Sequence, residues 1–97
     1  MSLPRLLALT LAAALIPVAA QAAPTAAQKD EFYAVCMGIA QDEALCSCKA
    51  DAAMTLIDER FMGVVIASMK GGSTAQVDAV PYNTYVAKSN QICKPNY

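Results

Sequence analysis

Downstream of residue 22, apolar positions recur at three- and four-residue intervals, and no stretch alternates with the period of two of a half-buried strand. No Asn-Gly or Asp-Gly hairpin signal separates the apolar runs. The pattern predicts an all-α fold, a small disulfide-stapled bundle of three to four short helices. Thr25-Ala-Ala-Gln28, following Pro24, has the form of a capping box and opens a helix to about Ala40. Its inner face should carry Phe32, Cys36, Ile39 and Ala40. Gln41-Asp42-Glu43 forms the connection, and a second helix starting near Asp42 or Glu43 carries Leu45, Cys46, Cys48, Ala52, Leu56 and Ile57. Asp58 can cap a third helix reaching Met69 or Lys70, stopped by Gly71-Gly72. The periodicity leaves open whether the second and third helices are separate or one bent rod.

Ser73 or Thr74 is expected to cap a last segment to Ile92 or Cys93, in which Pro81 must kink the helix or begin a new one. Two stripes run along that segment. One holds Val77, Pro81, Tyr85, Lys88 and Ile92; the other holds Tyr82, Val86, Ser89 and Cys93.

The first 22 residues follow a different logic. Arg5 precedes an almost unbroken apolar run from Leu6 to Val18, and Ala20-Gln21-Ala22 is a small-x-small site. A run of about 13 residues suits the core of a secretory signal and falls short of the ~20 that span a bilayer. A cleavable leader over 1–22 is therefore expected, with one mature domain over 23–97. In this reading the membrane is met only through the leader. Without Arg5 the domain keeps six basic and eight acidic residues, a net charge of −2. No basic stripe exists to neutralise phosphates, which argues against a nucleic-acid partner.

A domain this small rarely gains more than ~3–5 kcal/mol from its core, so the cysteines matter. Cys36, Cys46, Cys48 and Cys93 form an even set behind an export signal, which implies structural disulfides. Cys46 and Cys48 stand about 200° apart on a helix, too divergent to bond each other. Each must reach a different element, so the second helix is stapled to both neighbours. Taking the hairpin turn as centred near Asp42, equal distances from the turn favour Cys36–Cys48 with Cys46–Cys93. A one-residue shift of the turn reverses the choice to Cys36–Cys46 with Cys48–Cys93.

Other features weigh less. Asp30-Glu31, Asp42-Glu43 and Asp58-Glu59 each fall in the first turn of a predicted helix, where acids complement the macrodipole. That explains them without catalysis. The chain has no histidine, and no nucleophile–base pair can be assembled; no catalytic residue, cofactor or metal ligand is assigned. The Phe61–Met69 segment is apolar nearly all round, so Phe61, Met62, Val65 and Met69 are candidates for a protein-facing surface or homodimer contact as well as for core. Tyr82, Tyr85 and Tyr97 could extend such a patch.

Phe32-x3-Cys36, Cys46-x-Cys48 and the late Cys93 together resemble a loose group of small exported bacterial helical proteins with a C…C-x-C…C set, whose role is uncharacterised. Cys36-x9-Cys46 also matches half of a twin C-x9-C hairpin, but the second C-x9-C is missing and that family's import function does not carry over. Small periplasmic acid chaperones and secretion-system immunity proteins are similar in size and helical content, though their distinctive residues are not present. The expected function is that of a non-enzymatic periplasmic or secreted module binding another protein, as inhibitor, immunity factor or chaperone-like subunit. The alternative is a thiol-redox or Cu(I) carrier using Cys46 and Cys48.

Overall fold

Thr25 opens the first helix as its spacing predicts. Its hydroxyl accepts from the Gln28 amide and the Gln28 side chain accepts from the Thr25 amide, both at 3.0 Å. The computed structural model describes residues 22–94. Among these it contains four α-helices: α1 Ala26–Ala40, α2 Glu43–Leu56, α3 Glu59–Met69 and α4 Ala79–Cys93, with a 3₁₀ turn, Gln76–Asp78, before the last. None of these helices is long and apolar enough to cross a membrane. The leader expected over 1–22 lies outside the described residues except for Ala22, and Tyr97 lies outside them too. The Ala22 carbonyl accepts from the Glu59 amide at 2.8 Å, a bond that cleavage after Ala22 would remove. Gln28 holds the same helix start from the other side, donating to the Glu59 carbonyl.

The remaining punctuation is chemical as well. Gln41 ends α1 in the left-handed region (φ 54°), its amide donating to the Met37 carbonyl. Asp42 then caps α2 by accepting from the Leu45 amide at 3.0 Å. Ile57 is extended and Asp58 accepts from the Phe61 amide at 2.7 Å, so α2 and α3 are two helices. Gly71 (φ 96°) and Gly72 close α3, donating to the Ser68 and Ala67 carbonyls. A Cβ on Gly72 would sit 2.9 Å from the Ala67 oxygen, closer than side chains approach.

The start of α4 departs from expectation. Neither Ser73 nor Thr74 caps it; the Thr74 hydroxyl bonds that of Ser68 at 2.7 Å. The 3₁₀ turn leads in instead, and Pro81 occupies the first turn of α4, where a missing N–H costs no intrahelical bond. Arg60 of α3 secures this start by donating to the Asp78 carboxylate at 2.9 Å while lying over the Phe61 ring.

Helix α2 packs against both α1 and α4, and α1 packs in addition against α3. The core joins Phe32 and Cys36, Cys46, Ala50 and Ala53, then Phe61, Met62, Val65 and Ile66, and finally Tyr85. Small residues on α2 let its neighbours approach closely. Two expectations about buried faces need correction. Phe61, Met62 and Val65 are buried and Met69 half-buried, so the proposed partner surface is the inner face of α3. On α1, Phe32 and Cys36 face inward, but Ile39 and Ala40 are exposed, because they stand at the open cleft that the other helices do not cover. On α4, the stripe of Tyr82, Val86, Ser89 and Cys93 faces the bundle, joined by Tyr85, while Val77 and Ile92 stay in solvent.

The bridges are Cys36–Cys46 and Cys48–Cys93, at Cα separations of 5.6 and 5.7 Å, which overturns the preferred Cys36–Cys48 and Cys46–Cys93. The turn consists of Gln41 and Asp42 alone, so Cys46 and Cys48 are equally suited by distance and helical phase decides. Cys46, wholly buried, shares a stripe with Ala50 and Ala53 and meets α1; Cys48 lies round the rod toward α4. The stapling of α2 to both neighbours stands, and no free cysteine remains. Bonded cysteines imply a non-reducing compartment.

Candidate ligand-binding cleft

The four helices do not close over one another completely. Between them lies a cleft of about 520 Å³, within the usual range for small-molecule sites. Phe32, Cys36 and Ile39 of α1 form one wall. Val65 and Met69 of α3 form another, and Tyr82, Tyr85 and Val86 of α4 face them. Leu45 and Lys49 of α2 complete the lining, with Asp42 and Ser89 at its polar edge. The surface is apolar and aromatic apart from a few side chains, the composition of a pocket built to take a hydrophobic group.

Its polar part is one cluster. Lys49 follows Leu45 by one helical turn on the flank of α2 that faces α4, so its stem lies along the apolar wall. Its ammonium donates to Ser89 Oγ at 2.9 Å and to Asn90 Oδ1. Ser89 is buried and donates onward to the Val86 carbonyl. Burial pushes the Lys49 pKa below that of an ordinary lysine, because the charged form loses hydration. Among the described residues the ion pairs are Lys29–Asp51, Arg60–Asp78 and Lys70–Glu31; Lys49 is in none of them.

Tyr85 closes the cluster. Its ring divides this cleft from a second hollow of about 430 Å³ beside Ile57, Arg60 and Val80. The phenol oxygen is buried with no hydrogen-bond partner among the described residues. Burial raises its pKa to about 12, the neighbouring Ser89 hydroxyl pulling the other way. A raised folded-state value means stability is fully present below pH ~10 and is lost as pH climbs toward ~12, by at most about 2–3 kcal/mol. Tyr85→Phe should therefore raise stability by about 1 kcal/mol near neutrality, by removing an unsatisfied hydroxyl. It should also abolish that alkaline loss. Urea unfolding of both proteins on either side of pH ~10 checks this; parallel pH curves for the two would contradict it.

The sequence-predicted residues divide cleanly. Cys36, Val65 and Met69 do meet at the cleft, whereas Phe61 borders the second hollow and Met62 is wholly in the core. Asp42 and Asp58 cap helices, and Glu43 and Glu59 stand in first turns, as expected. Asp30-Glu31 is the exception: it lies beyond the first turn of α1, and Glu31 pairs with Lys70 across to the end of α3. Lys49 carried a signal that the sequence reading passed over, a lone cation one turn from Leu45 and three residues before Ala52 on an otherwise apolar flank. No family model, curated protein or solved structure matches this chain.

Proposed function

We propose that the protein is an exported, non-enzymatic binding module, periplasmic or secreted, whose working part is the cleft between its helices. The observation that carries this reading is the apolar cleft itself, assembled from all four helices and left open beside a core that buries Phe32, Met62, Val65 and Tyr85. With Phe61, Met62 and Val65 in the core, binding through the outer face of α3 loses its residues. The inhibitor, immunity or chaperone-like role then rests on an apolar group of the ligand entering the cleft. The thiol-redox or Cu(I) alternative loses its ligands too, since Cys46 and Cys48 are each bonded to a different partner.

Nile red, an uncharged apolar dye, provides the test on the oxidised protein. One saturable equivalent is expected, abolished by Leu45→Trp, which fills the cleft from its half-buried edge. Equal uptake by the filled variant, or no uptake by the wild type, would remove the cleft from the reading.

A further inference from the structure

We propose that the cleft receives a single-chain anionic amphiphile, a free carboxylate whose head meets Lys49 and whose alkyl tail lies against Phe32, Val65, Met69 and Val86. This rests on the reading of the cleft as the binding site and adds the chemistry of what enters it. An ammonium has three donors, and Lys49 spends two on neutral acceptors, Ser89 and Asn90, which return no charge. The carboxylate on the cleft's edge, Asp42, is engaged in capping α2 and forms no ion pair with Lys49. A half-buried cation at the edge of an apolar cavity, paired only with neutral groups, is complementary to an anion carrying a hydrophobic tail. One chain rather than two follows from the size: about 520 Å³ holds one small ligand.

Calorimetric titration of the oxidised protein with dodecanoate, dodecanol and dodecyltrimethylammonium, each below its micelle concentration, tests the assignment. Dodecanoate should bind with one equivalent and about tenfold or more tighter than dodecanol, the worth of one charge-assisted hydrogen bond. Lys49→Met should fold normally, since it removes a desolvated charge, and should bring the two probes to parity; Lys49→Arg should restore the preference. If wild type binds dodecanol as well as dodecanoate, or binds the cationic probe better, the anion assignment fails and the cleft reading survives. The assignment fails equally if Lys49→Met keeps the preference for dodecanoate. If none of the three saturates, both fall.

Discussion

Replacing Cys48 and Cys93 together with alanine should cost about 4 kcal/mol, because their bridge closes a 45-residue loop in the unfolded chain. The same treatment of Cys36 and Cys46, separated by 10, should cost about 3 kcal/mol. Either loss rivals the ~3–5 kcal/mol that a core of this size supplies, so full reduction should unfold the domain. The longer bridge also has a local consequence. Helix α4 has no side-chain cap at its start and is tied to the bundle by Arg60–Asp78, by Lys49–Ser89 and by the burial of Tyr85. Without Cys48–Cys93 it should detach first, taking one wall of the cleft with it. Urea unfolding followed by circular dichroism should place the two paired variants in this order, with the Cys48/Cys93 pair lower. A reduced protein that keeps its helices and its unfolding midpoint would show that the bridges do not hold the bundle.

Met62→Ala should cost about 2–5 kcal/mol. Met62 is wholly inaccessible to solvent, at the centre of the cluster formed by Phe61, Val65 and Ile66 with Phe32 and Tyr85. Truncation removes dispersion contacts and leaves a space that the bridged helices cannot easily close. Had Met62 belonged to a partner-facing surface, the same change would alter stability by no more than about 0.5 kcal/mol. Thermal or urea unfolding of the protein separates these outcomes, and a shift at the surface level would return α3 to the candidate interfaces.

The elements themselves were legible because their signals are local. A threonine three residues before a glutamine, an aspartate before each of α2 and α3, and a glycine pair after α3 each satisfy specific backbone groups, and each stands where its spacing placed it. Which faces turn inward was legible only in part, because periodicity defines stripes but not the neighbour that covers them. Two stripes on α4 were equally regular, and the one with fewer large apolar residues faces the bundle. Likewise the Phe61–Met69 segment, apolar on most sides, reads as excess surface until α1 is laid against it.

The bridge pattern was limited by a similar ambiguity. Cys46 and Cys48 are both close enough to the turn, and the choice depends on helical phase, which a two-residue turn with Gln41 in the left-handed region sets. The cleft was not legible at all. It is a property of where four helices stop covering each other, and its polar cluster joins Lys49 to residues forty positions away.

Disulfide assignment of the purified, oxidised protein bears most directly on the scaffold that holds the cleft open. Trypsin leaves Cys36, Cys46 and Cys48 on the segment 30–49, joined to the segment 89–97 that carries Cys93. Partial reduction with stepwise alkylation then shows which sulfurs are released together. Cys48 should be released with Cys93, and Cys36 with Cys46, with no thiol free at the outset. Release of Cys46 with Cys93, or an alkylatable cysteine before reduction, would contradict the clamping of α2 described here.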